Sequence, residues 1–162
     1  MTARVAILMG SPNDHDKMAP AAQTLERYGI EADVRVMSAH RSPAAVAEFA
    51  STARDEGFAA IICGAGMAAH LAGAVAAQTT LPVIGVPLSG GAINGWDSLL
   101  ATVQMPPGVP VATVAIGKAG AKNAAWLAAR IMALSDDALA ARLVTARAEM
   151  AAKVLAADAS LG

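Results

Sequence analysis

The chain has 162 residues, 56% of them hydrophobic, 3% aromatic and 15% charged, with 12 Lys and Arg against 13 Asp and Glu. That length suits one domain with a substantial core, and the balanced charge, with no cluster of Lys and Arg, excludes a nucleic-acid footprint. Cys63 is the only cysteine, which rules out an internal disulfide and a zinc site of several thiolates and points to a reducing cytoplasm.

Short apolar runs alternate with longer stretches of helical period. The start, Met1-Thr-Ala-Arg-Val-Ala-Ile-Leu-Met, is interrupted by Gly10-Ser-Pro and reads as a first strand over residues 4–9 rather than a signal peptide. Further strands are predicted over 32–37, 59–63, 82–86 and 109–116. The second is the most polar and so belongs nearest an edge. Helices are predicted over 14–28, 43–56, 67–78 and 97–104, with Gly29 and Gly57 as stop residues after the first two. Two more close the chain, over 119–134 and about 136–157. Residues 59–77 carry His70 as the only clearly polar side chain, but Gly64, Gly66 and Gly73 interrupt them, so a strand, a glycine loop and a small-residue helix fit better than a membrane span.

Strand–helix alternation with apolar strands implies a five-stranded parallel sheet covered on both faces, a flavodoxin-like α/β three-layer sandwich with an extra C-terminal helix. The whole of 1–162 is expected to form a single domain, with a core over 4–134. The abundant Ala suits close packing of small side chains. The sparse charge suggests that part of the surface is covered by self-association. The last helix aligns Leu139, Leu143, Ala146, Met150 and Val154 on one stripe, which serves equally for packing on its own fold or on another subunit.

In such a sheet, ligands bind beyond the carboxyl ends of the strands. The segments there are Gly10-Ser-Pro-Asn-Asp14, Ser38-Ala-His-Arg-Ser-Pro43, Gly64-Ala-Gly-Met-Ala-Ala-His-Leu71, Pro87-Leu-Ser-Gly-Gly-Ala-Ile-Asn-Gly95 and Gly117-Lys-Ala-Gly-Ala-Lys-Asn123. Glycine admits a ligand close to backbone, and a helix entrance offers free N–H groups to an anion. Taken alone, Ser11, Asn13 and Asp14 are ordinary capping residues. His40 beside Arg41 is more telling, because a planar guanidinium suits phosphate and imidazole exchanges a proton near neutrality. A second histidine, His70, stands at the neighbouring strand end. The run from Gly64 to Ala69 is not a dinucleotide fingerprint, since no acid ends the next strand. The chain carries no P-loop, no Gly-x-Ser-x-Gly elbow and no metal-ligand spacing.

Those loops, together with Asp97-Ser-Leu99, Val103-Gln-Met-Pro106 and Ala115-Ile-Gly-Lys-Ala-Gly-Ala-Lys-Asn-Ala124, occur in one order. The set resembles the N5-carboxyaminoimidazole ribonucleotide mutases of de novo purine biosynthesis (the PurE family, class I), over about residues 4–134. The resemblance implies a transfer of a carboxylate from an exocyclic nitrogen to the ring carbon, without ATP, metal or cofactor, in an octamer. It implies His40 as the catalytic acid and base. It places substrate contacts at Ser11, Asn13, Asp14, Ser38, Ala39, Arg41, Ala65, Gly66, Ala68, His70 and Leu71. Asp14 would accept from the ribose hydroxyls, Arg41 and Ser11 would meet the phosphate, and Gly66, Ala68, His70 and Leu71 would hold carbon dioxide. Many members have Ser where Asn13 stands and Gly where Met67 stands. A branch of the same fold carboxylates aminoimidazole ribonucleotide directly, but the tract Asp97-Ser-Leu-Leu with Val103-Gln-Met-Pro favours the mutase. The alternative outside catalysis is a flavodoxin-like module binding a nucleotide or flavin, for which only Trp96 offers a stacking aromatic near a ligand edge.

Overall fold

The computed structural model describes residues 4–161; positions 1–3 and 162 of the expected domain lie outside them. Five strands, β1 (Arg4–Met9), β2 (Glu31–Val36), β3 (Phe58–Gly66), β4 (Val83–Leu88) and β5 (Ala112–Thr113), form one parallel sheet in the order β2-β1-β3-β4-β5. This is the doubly wound order expected from the alternation. The polar β2 lies at an edge, with no fully buried residue, while every residue of β4 is buried.

The helices α1 (His15–Arg27) and α5 (Lys118–Met132) cover one face. They lie close together because α5 faces inward with Ala121, Ala124, Ala125, Ala128 and Ala129, none of which has any exposure. Helices α2 (Pro43–Thr52), α3 (Leu71–Ala76) and α4 (Trp96–Val103) cover the other. Phe49 and Phe58 meet edge to face at 5.3 Å in that layer. The final helix, α6 (Asp137–Ala159), starts where Asp136 accepts a hydrogen bond from the Leu139 amide at 2.9 Å. Only Leu139 and Leu143 of its stripe are buried, against the α1–α5 layer. Met150 and Val154 are exposed, so the stripe packs on its own fold for two turns and no further.

Three elements depart from the sequence reading. The third strand does not stop at Cys63 but continues through Gly64-Ala-Gly66. A Cβ at Gly64 would lie 2.8 Å from Cγ of Met18, and one at Gly66 would lie 3.2 Å from the Leu88 carbonyl oxygen. Glycine is used here to let neighbours press against a strand rather than to end it. The helix expected over 67–78 is correspondingly short, because Met67 takes φ 55° and the chain then turns tightly, with the Ala69 and His70 amides donating to the Met67 and Ala68 carbonyls. The fifth strand shrinks to two residues. Pro110 has no amide for the ladder, although Val114 and Gly117 still donate to the Gly85 and Pro87 carbonyls at 3.0 and 2.8 Å.

Candidate active site

The carboxyl ends of β1, β2 and β3 converge on a cavity of about 460 Å³, a size usual for small-molecule sites. Ser11 opens the β1 loop, its hydroxyl accepting from the Asn13 amide at 3.2 Å. The Asp14 side chain comes next, at the entrance to α1. Its carboxyl is pushed up from the usual range by burial, and Lys17, one turn later, opposes that. The β2 loop is folded by its own serines. Ser42 accepts from the Ser38 amide at 3.0 Å, and the Ser38 hydroxyl accepts from the Arg41 amide at 3.2 Å. The Arg41 guanidinium then reaches across to the Gly10 carbonyl at 2.8 Å, tying the β2 loop to the end of β1.

His40 lies at the tip of that loop. Its Nε2 is 2.8 Å from Nδ1 of His70, and the two rings stand at 79°. One hydrogen occupies that contact, so one ring donates and the other accepts. His70 is held by the tight turn after β3, immediately before α3. Both rings remain exposed, so a ligand can reach them. Ala65, Gly66, Ala68 and Leu71 add small, largely apolar residues to the lining of the same cavity.

His40 and the other predicted residues, including Ser38 and Ala39, thus surround one cavity. Other motifs lie elsewhere. In the Asp97-Ser-Leu tract, Ser98 is fully buried and donates to the Leu88 carbonyl at 3.0 Å, while Thr102 donates to the Ser98 carbonyl at 2.6 Å. The tract fixes how α4 leaves the sheet and does not line the cavity. Lys118, from the segment after β5, pairs with Asp16 at 2.8 Å. Trp96 is exposed and also outside the cavity lining, and among the described residues no Phe, Tyr or Trp lines it for flavin stacking. Sequence reasoning missed Lys17, which lines the cavity together with Gly10, Met67, Ser89 and Gly90 of the strand-end segments. The only signal for Lys17 was its spacing of one turn from Asp14. A larger groove of about 850 Å³ lies between α1, α5 and α6, and among the described residues no histidine or cysteine lines it. Among the described residues, no three His, Cys, Asp or Glu side chains gather as metal ligands.

The AIR carboxylase family model matches residues 4–153. The chain belongs to the AIR carboxylase family. Relatives within it are close. The N5-carboxyaminoimidazole ribonucleotide mutase of Brucella melitensis biotype 1 is 58% identical over 88% of this chain and 88% of its own. That of Mycobacterium tuberculosis is 52% identical over 98% of this chain and 90% of its own. Among solved structures, Treponema denticola PurE superposes with a TM-score of 0.87 at 29% identity, covering 99% of each chain. A 3-dehydroquinate dehydratase-like protein from Bifidobacterium longum shares the fold alone, with a TM-score of 0.54 at 16% identity. The doubly wound sheet is therefore the AIR carboxylase family's fold in this chain.

Proposed function

We propose that this protein is an N5-carboxyaminoimidazole ribonucleotide mutase, making 4-carboxy-5-aminoimidazole ribonucleotide in purine biosynthesis. The observation that carries the reading is the His40–His70 pair in the strand-end cavity, in a chain whose relatives bear that name. His40 gives a proton to the carbamate nitrogen, the C–N bond breaks, and carbon dioxide is released beside the ring. The electron-rich ring carbon attacks it, forming the C–C bond, and then loses its own proton to His40. The catalyst ends as it began, and no net proton is consumed. One base that alternately gives and takes a proton is enough for both steps.

The remaining side chains bind. Arg41 and Ser11 meet the phosphate, Asp14 accepts from the ribose hydroxyls, and Asn13, Ser38 and Ala39 frame the nucleotide. Ala65, Gly66, Ala68, His70 and Leu71 keep carbon dioxide next to the ring long enough for recapture, since proximity replaces a dilute bimolecular encounter. The protein works as one catalytic unit per chain, in the cytoplasm, as a homo-octamer. Support for assembly comes from exposed apolar side chains, Ile93 before α4, Trp96, Leu100 and Val103 along it, and Met150, Val154 and Leu155 on α6, which a lone chain would leave in water. Light scattering after gel filtration should give eight copies.

The deciding experiment tracks N5-carboxyaminoimidazole ribonucleotide spectrophotometrically, beside aminoimidazole ribonucleotide with bicarbonate, without ATP or added metal. Rapid conversion of the first with little of the second is expected. Preference for the second would make the protein a direct carboxylase, and activity with neither would overturn the reading.

A further inference from the structure

Lys17 is a cation of the cavity to which no role has been given. It lies in the first turn of α1, half-buried, and its Nζ donates to the Ser89 carbonyl at 2.6 Å, past the end of β4. An ammonium has three donors, and that bond uses one. Among the described residues, no carboxylate forms an ion pair with it. Its acidic neighbours Asp14 and Asp16 feel its charge, but Asp16 is bonded to Lys118. A partly desolvated ammonium with spare donors, facing a cavity, is matched best by an anion.

We propose that Lys17 is a substrate-binding residue that takes an anionic group of the ribonucleotide. The inference rests on the nucleotide reading of the site. Such a ligand carries a phosphate and a carboxylate. Against them the cavity sets two fixed cations, Arg41 and Lys17, and the Asp14 carboxylate. Without Lys17 the fixed charges cancel, and the cavity loses its attraction for a multiply charged anion. The competing role is mechanical. Lys17 would merely brace the loop from Ser89 to Gly95, where Gly91, Asn94 and Gly95 all have left-handed φ.

Charge and bracing are separated by K17M, which keeps the stem, and K17R, which keeps the charge. Turnover of the parent protein comes first, because its absence would refute the reading of the site and not the role of Lys17. Given turnover, K17M should raise KM for N5-carboxyaminoimidazole ribonucleotide at least tenfold with kcat within threefold. Its kcat/KM should also fall less steeply with added salt than the parent's, and K17R should recover most of the loss. Titration with aminoimidazole ribonucleotide then locates the anion. Weakened binding of this uncarboxylated ligand assigns the phosphate to Lys17, and unchanged binding assigns the carboxylate. An unchanged KM, or a KM rise with the parent's salt slope and no recovery in K17R, would overturn the proposal in favour of bracing.

Discussion

Replacing Gly120 by Ala adds one methyl group where the backbone leaves no room for it. The new Cβ would lie 2.6 Å from the Ala115 carbonyl carbon, closer still to its oxygen, and 3.2 Å from Cγ1 of Val86. Two of these atoms are backbone and cannot rotate away. Relief requires moving the start of α5, yet that helix is pinned by the Gly117 amide on the Pro87 carbonyl and by its fully buried alanine face. Overpacking of this kind costs about 1–3 kcal/mol, sometimes more, while Ala in a helix returns about 1 kcal/mol over Gly. A backbone clash belongs at the upper end, so the net loss should be about 2 kcal/mol. Gly73→Ala is the matched control. Its Cβ would meet only Sδ and Cε of Met105, at 3.2 and 3.3 Å, and a methionine end can turn aside. It should be neutral or stabilising by about 0.5 kcal/mol. Urea midpoints at one protein concentration, with unchanged m-values, measure both. The packing argument fails if Gly120→Ala is as stable as the parent, or if Gly73→Ala is the more damaging change.

His40→Asn should lower kcat by about 10²–10⁴, the usual worth of a positioned acid–base group, with KM nearly unchanged in steady-state assays. Met67→Gly relieves a left-handed backbone that costs a side-chain-bearing residue about 1–2 kcal/mol. Glycine's extra unfolded-state freedom cancels part of that, so the thermal midpoint should hold or rise slightly. Asp14 has its carboxyl pushed up by burial, so the folded state holds that proton more tightly than the unfolded one. This contribution to stability is present at low pH and is lost as pH rises through the folded-state value. Asp14→Asn should therefore raise the melting temperature relative to the parent at pH 7, with a smaller gain at pH 3, while weakening substrate binding in a titration. Cys63 is buried and its thiol is pushed up by desolvation, so a disulfide-exchange reagent should leave it unlabelled until denaturant is added.

Much of the fold and site was legible because strand ends are where side chains must converge. Polarity alone put β2 at the edge, and the short segments just past the strand ends gathered His40, Arg41 and His70. The misses have physical causes. The glycines of β3 signal a loop from sequence, but their role depends on Met18 and Leu88, which approach only in the fold. Pro110 cut the last strand despite its apolar run. Lys17 reads as an ordinary solvated helix lysine, and its proximity to Ser89 is set by the sheet order across 72 residues of separation. The Asp97-Ser-Leu tract shows the converse, since a segment singled out in the sequence as a motif serves as a structural lock.

Gly10 sits where several of these threads cross. Its carbonyl receives Arg41 from the β2 loop, and its amide donates to the Gly64 carbonyl of β3 at 3.4 Å. Met9, just before it, pairs with Val36 on one side and Gly64 on the other. Arg41, His40 and the small-residue wall after β3 are thus indexed to a single row of the sheet. A slip of one residue would shift that row by about 3.3 Å and turn its side chains over. The Arg41 and Gly10 bonds tie the site's loops to this row, so its geometry depends on the centre of the sheet. Heat should therefore extinguish activity and the sheet's far-ultraviolet signal in the same transition, and a cold-adapted version of this enzyme would have to gain its mobility in the loops beyond Ser89 instead.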